Sequence, residues 1–194
     1  MLLLASLFFA GCASSSGDKP ENRLVDYVDP LIGTGFHGHT FPGAVVPFGR
    51  VQLSPDTHLD GWDASSGYHY GDSTLYGFSH THLSGTGIGD MGDVLFLPYT
   101  GDIPESAVGS FSHQNEKASP GYYRVKIDPW GIRCELSATK RSGWHRYTYP
   151  REKEAGLLID LGHILQANWG HRVLESSIEV IDDHTIEGYR MTTG

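Results

Sequence analysis

The sequence predicts an all-β chain, an antiparallel β-sandwich, and three observations carry that expectation. Short runs rich in aromatic and β-branched residues recur along the 194 residues. Glycine (25) and proline (10) break the chain between nearly all of them. No segment keeps a helical period for three turns. Many short strands with polar turns are what two packed antiparallel sheets require.

The expected strands are Tyr27–Ile32, Val45–Leu53, Leu75–His82, Val94–Tyr99, Tyr122–Ile127, Ile132–Thr139, Gly143–Tyr149, Leu157–Leu161, Val173–Ile181 and Thr185–Tyr189. Alternation is clearest after residue 120. There Tyr123, Val125 and Ile127 share one face, and Arg124, Lys126 and Asp128 the other. Asp128-Pro129-Trp130-Gly131 fits a turn with proline second and glycine last. Asp182-Asp183 joins the last two runs as a hairpin. Trp130, Trp144 and the lone Cys134 lie in this regular half and are expected in the core. Residues 33–93 differ: they are dense in Gly, His, Ser, Thr and aromatics and poor in Lys. Polar loops with rigid rings belong at a binding surface, and the second half reads as scaffold.

The N-terminus reads as an address. MLLLASLFFA is apolar, too short to span a bilayer, and ends in Ala10-Gly11-Cys12. Small residues before a cysteine are the pattern of a bacterial lipoprotein signal. Residues 1–11 are therefore expected to be signal peptide and Cys12 the lipid acceptor. Residues 12–24, with three serines after Ala13, form a flexible tether, and 25–194 form the sandwich. No Lys or Arg precedes the apolar run, a departure from the pattern. The expected place is the bacterial cell envelope, lipid-anchored to the membrane; Ala13 after Cys12 favours the outer membrane. With Cys12 lipidated, Cys134 has no disulfide partner, so stability must come from packing. The formal charge of -9 and the lack of a Lys/Arg run argue against nucleic acid.

Two matches to G-x-G-x-x-G, Gly33–Gly38 and Gly87–Gly92, are rejected as dinucleotide sites. That motif works only where a helix follows and aims its N-terminus at the phosphates. Pro42, Gly43 and Pro47 follow the first copy, and a strand-like run follows the second. His37/His39 and His80/His82 are each two apart, which on a strand puts both rings on one face. Such pairs could hold zinc. The favoured reading is that they bond ligand hydroxyls or satisfy the core. Nothing in the sequence joins them to further ligands, and no metal site is assigned. Trp62, in Gly61-Trp62-Asp63 before a Ser- and His-bearing stretch, suits a sugar. An indole covers the C–H face of the ring while Asp, His and Ser take its hydroxyls. An anchor for a loop is the other reading.

At this point the residues carry a resemblance. Tyr27 to Thr57, YVDPLIGTGFHGHTFPGAVVPFGRVQLSPDT, resembles the opening of the glycoside hydrolase family 92 proteins, exo-acting α-mannosidases. So do Gly67–Tyr70, the run Gly77–Gly87 (GFSHTHLSGTG), Gly92–Leu95 and Pro98. The resemblance implies the N-terminal β-sandwich of a two-domain enzyme, packed on a C-terminal (α/α)6 helical domain of the same polypeptide. It also implies a calcium-dependent, inverting hydrolysis of terminal α-mannose from a mannose-containing glycan. Inversion needs two separated carboxyl groups. By resemblance the acid, the base and the calcium ligands lie in the helical domain, so no catalytic residue is named here and the segment alone is expected to be inactive. The residues expected to lend substrate contacts are Trp62, Asp63, His80 and His82. A stand-alone carbohydrate-binding sandwich and a hydrolase using the His pairs with a metal are the alternatives.

Overall fold

The computed structural model describes residues 23–193. Cys12, the signal segment and most of the expected tether lie outside the described residues. Thirteen strands follow in order: β1 (Ala44–Val45), β2 (Gln52–Asp56), β3 (Thr74–Leu75), β4 (Gly77–Ser79), β5 (Leu95–Thr100), β6 (Gly109–Ser110) and β7 (Lys117–Ser119), then β8 (Tyr122–Ile127), β9 (Ile132–Ala138), β10 (Gly143–Thr148), β11 (Ala155–Asp160), β12 (Arg172–Asp182) and β13 (Thr185–Thr193). All pairings are antiparallel. Helical structure among the described residues is limited to short 3-10 turns.

One sheet runs β1-β2-β4-β5-β11 and the other β10-β9-β8-β7. Between them Leu53, Phe78 and Leu97 meet Tyr123, Val125, Ile127, Ile132, Cys134 and Leu136 in one apolar core. Period two accounts for this. Alternate residues of β8 and β9 turn inward and their neighbours turn out. Cys134 is a free, buried thiol, and burial pushes its pKa up. The buried Glu116 carboxylate also crosses the core. It accepts from the Tyr68 hydroxyl at 2.8 Å and the Tyr123 hydroxyl at 2.6 Å. That bond roots the loop carrying Tyr68 in the sandwich.

The strands from β8 onward fall where the alternation places them. Gly131 N–H donates to the Ile127 carbonyl and closes the Asp128–Gly131 turn. Asp183 and His184 turn the β12–β13 hairpin, with Asp182 accepting from His184 N–H at 2.8 Å. The first half is less regular. Tyr27–Ile32 is not a strand: Leu24–Tyr27 forms a 3-10 turn, and Asp29 accepts from Leu31 N–H across Pro30. The expected Val45–Leu53 strand breaks at Pro47-Phe48-Gly49, where Phe48 points fully into solvent with φ 59°. The expected Leu75–His82 strand breaks at Tyr76, whose N–H leaves to the Asp56 carbonyl.

Trp144 corrects the sequence reading. It is 71% exposed, because the β10 register puts it beside Ser137 on the outer face. His145 and Tyr147, the alternate residues, take the inner positions. Trp130 is part-buried against the core, as expected.

Candidate functional site

The loop between β2 and β3 builds the site. Thr57 holds its base: Thr57 Oγ1 donates to Asp72 at 2.8 Å and accepts from His69 N–H at 2.9 Å. Thr57 N–H also reaches the Gly67 carbonyl at 2.7 Å. Gly67 takes φ 81°, and a Cβ there would lie 2.4 Å from Asp56 Oδ1. No other residue fits that turn. At the loop's crown a 3-10 turn, Trp62–Ala64, presents the indole.

Trp62 is half-exposed (52%) yet fixed. His39 meets it edge-on at 4.3 Å between ring centres, and His37 lies at 5.1 Å. His37 in turn pairs with Asp63. The loop Ser84–Gly87 closes the other side. Gly85 N–H donates to the His39 carbonyl. A Cβ on Gly87 would sit 3.0 Å from Trp62 Nε1 and 2.9 Å from His39 Nδ1. His39 itself is buried with φ 55°, and its Nε2 has no partner among the described residues. Non-glycine residues at positive φ cost energy and persist where surrounding contacts impose them.

Beside the indole lies a cleft of ≈ 410 Å³, lined by His58, Asp60, Trp62, Asp63, His69 and Asp72 among others. Three carboxylates and two imidazoles around one aromatic face form a set of acceptors and donors for vicinal hydroxyls, with the ring covering C–H groups.

A residue the sequence reading missed fixes this geometry. Gln166, fully buried with φ 60°, clamps Gly61. Its Nε2 donates to the Gly61 carbonyl at 2.8 Å, and its Oε1 accepts from Gly61 N–H at 3.1 Å. Its own N–H donates to the Leu59 carbonyl at 2.7 Å. The amide thus grips the peptide next to Trp62 from 105 positions away. No local pattern in the sequence marks such a contact.

His80 and His82 lie elsewhere. Neither belongs to a strand, so their two-residue spacing does not put them on a shared face. His82 is buried; its Nδ1–H donates to the Gln52 carbonyl and its Nε2 meets Asp56 Oδ1 at 2.7 Å. Asp56 Oδ2 meets His163 Nε2 at 2.7 Å. Burial alone would raise the Asp56 pKa, but the two imidazoles outweigh it and hold the carboxyl well below the usual range. His80 packs on Phe96 and His145. Its Nδ1–H donates to the Val94 carbonyl at 2.7 Å, and its Nε2 lies 3.0 Å from His145 Nε2. Both rings therefore spend their nitrogens inside the fold. Asp93 is likewise engaged, by Thr81 and Arg190. No group of three or more His, Cys, Asp or Glu among the described residues is placed to hold a metal ion.

Comparison with known proteins agrees with this architecture. The model of the glycosyl hydrolase family 92 N-terminal domain matches residues 27–194. The family GH92 α-mannosidase BT3965 of Bacteroides thetaiotaomicron superposes with a TM-score of 0.84 at 42% identity, covering 89% of this chain and 24% of that one. The inverting GH92 mannosidase BT2199 of the same organism gives 0.70 at 30%, over 90% and 24%. A secreted glycosidase of Arthroderma benhamiae, itself uncharacterised, is 31% identical over 160 residues, 74% of this chain and 20% of that protein. The chain thus spans about a quarter or less of the length of these relatives. With the family matched over nearly all the described residues and the sandwich shared with solved members, the chain belongs to glycoside hydrolase family 92, as its N-terminal domain.

Proposed function

We propose that this domain lends the substrate-contacting wall of an α-mannosidase that removes terminal α-linked mannose from glycans with inversion. The observation that carries the reading is Trp62: a half-exposed indole locked by His39, Gly87 and the Gln166 clamp, beside an acid-lined cleft. An indole held at one angle beside carboxylates and imidazoles can cover the C–H face of a sugar while the polar groups take its hydroxyls. Trp62 stacks on the sugar in the leaving-group subsite. Asp63, oriented by His37, takes a hydroxyl. His80 and His82 serve the scaffold rather than the sugar. The names of the solved relatives, an α-mannosidase and an inverting mannosidase, support the reaction class.

The acid and the base of the inverting step belong to a further, helical domain of the whole protein, on opposite faces of the scissile bond. Calcium belongs there too, polarising sugar hydroxyls when bound. This domain's share is to bind and orient. The enzyme works in the cell envelope, held by lipid on Cys12; the secreted relative supports export.

The test is Trp62→Ala in the whole enzyme. We expect kcat/KM on an α-mannoside to fall about tenfold or more through KM, with the unfolding midpoint nearly unchanged, as for loss of a stacking contact at an exposed position. Unaltered kinetics in a folded variant would remove Trp62 from the subsite.

A further inference from the structure

The outer face of the β10-β9-β8-β7 sheet carries a second feature, on different residues from the cleft. Alternation turns Lys117, Arg124, Lys126, Arg133 and Arg146 to the outside, while their neighbours Ala118, Tyr123, Val125 and Cys134 fill or border the core. Against these five cations the face offers Glu135 and, in the turn that ends β8, Asp128, in a chain of formal charge -9. The cluster is absent from any sequence run because three strands and a fourth share it.

Next to it lies a hollow of ≈ 210 Å³. Register sets Tyr122, Ser137 and Trp144 in one row across three strands. The two aromatic residues are therefore two strand spacings apart, roughly 10 Å, with a small serine between them. Glu135 and Arg146 border one side. These groups are held in place. Glu135 accepts from Tyr122 Oη at 2.8 Å and from Arg146 Nε and Nη2 at 3.1 Å each, and Arg133 pairs with it at 3.1 Å. Burial and the Glu135 bond both raise the Tyr122 phenol pKa, consistent with its hydroxyl acting as donor.

We propose that this face binds an acidic polysaccharide, a sugar chain bearing carboxylates. One ring sits in the hollow against Trp144 and Tyr122, and its charges meet Lys117, Arg124 and Lys126, the cations of this face that Glu135 does not pair with. Trp144 is 71% exposed beside the Arg146 guanidinium, and ring plus guanidinium is the pairing that recognises a sugar with an anionic substituent. Glu135 keeps the guanidinium of Arg146 ordered before the ligand arrives, which lowers the cost of binding. The site would hold the protein on a matrix and is independent of the mannosidase reading.

The experiment is native affinity electrophoresis of the intact protein in gels containing polygalacturonate, neutral mannan or neither. Polygalacturonate is expected to retard it, with the effect weakening as salt rises. Trp144→Ala should weaken retention about tenfold and Lys126→Glu about threefold. Both positions are exposed, so folding survives, and Trp62→Ala should leave retention unchanged. No retardation, equal retardation by neutral mannan, or retention indifferent to both substitutions would overturn the proposal. Tighter binding of a short DNA duplex or of phosphatidylglycerol vesicles than of polygalacturonate would also overturn it.

Discussion

Between Gly33 and Val94 the backbone passes through Phe36, His39, Phe48, Met91 and Val94 at positive φ. Between Lys117 and Thr148 four strands run with no non-glycine residue in that region. The first stretch is held by polar interlocks: Asp56 with two imidazoles, Thr57 with Asp72, Gln166 with Gly61. The second is held by a ladder and an apolar inner face. The difference teaches where each kind of stability suits its purpose. Apolar burial is nondirectional and builds a support. Buried polar contacts are directional and can hold a ring at one angle.

The contrast breaks hardest at Asp56. Asp56→Ala leaves His82 and His163 buried without their shared partner, and we expect a loss of about 3–5 kcal/mol in urea unfolding. A loss below about 1 kcal/mol would mean that the loops rest on the apolar core after all.

The ladder side has its own weak point in His145, on β10. Burial first, and the neighbouring His80 second, push its pKa down to about 3. Burial pushes His80 down as well. A histidine kept neutral by the fold binds fewer protons folded than unfolded below its ordinary pKa. Stability is therefore full above about 6.5 and declines as pH falls toward about 3. Asp56 adds its own loss only below the ordinary carboxylate range, near 4. Unfolding free energy measured at pH 7, 5.5 and 4.5 should decline stepwise, and His145→Gln should flatten that slope. An equal slope in the variant would show that other groups carry it.

The smallest effect tests the clamp. Gln166→Ala releases Gly61 without touching the indole. In the whole enzyme KM should rise about threefold to tenfold with kcat little changed, since the ring is still present but less well placed. A change in kcat alone would contradict a purely positioning role.

What the sequence made legible follows the same division. Strands β8 to β13 could be placed from alternation because each residue's face depends only on its neighbours. Trp144 was misread for want of applying that parity: it shares a face with Arg146, and His145 shares one with Tyr147. The first half resisted because Pro30 and Pro47 have no N–H for a ladder and Tyr76 gives its own to the Asp56 carbonyl, and one missing ladder bond ends a strand. In the candidate site, the aromatic and acidic character around Trp62 was readable from composition. Gln166 was not, since its bonds join residues 105 apart. Nor could spacing show that His80 and His82 face inward, because that spacing carries meaning only on a strand.

The histidine contacts at β10 also fix the direction of a proton order. The Val94 carbonyl can only accept, so His80 keeps its hydrogen on Nδ1 and leaves Nε2 bare. His145 must then donate from Nε2 and leave Nδ1 bare, and the Tyr147 hydroxyl donates there at 2.6 Å. Each link leaves the next a single choice. A backbone carbonyl in the loop region, on a valine at φ 55°, thereby decides which tautomer two rings adopt, and its last consequence is that the Tyr147 hydroxyl on the scaffold sheet must donate. The two halves of the domain share one grammar of hydrogen positions, spelled from Val94 to Tyr147 and legible in that direction only.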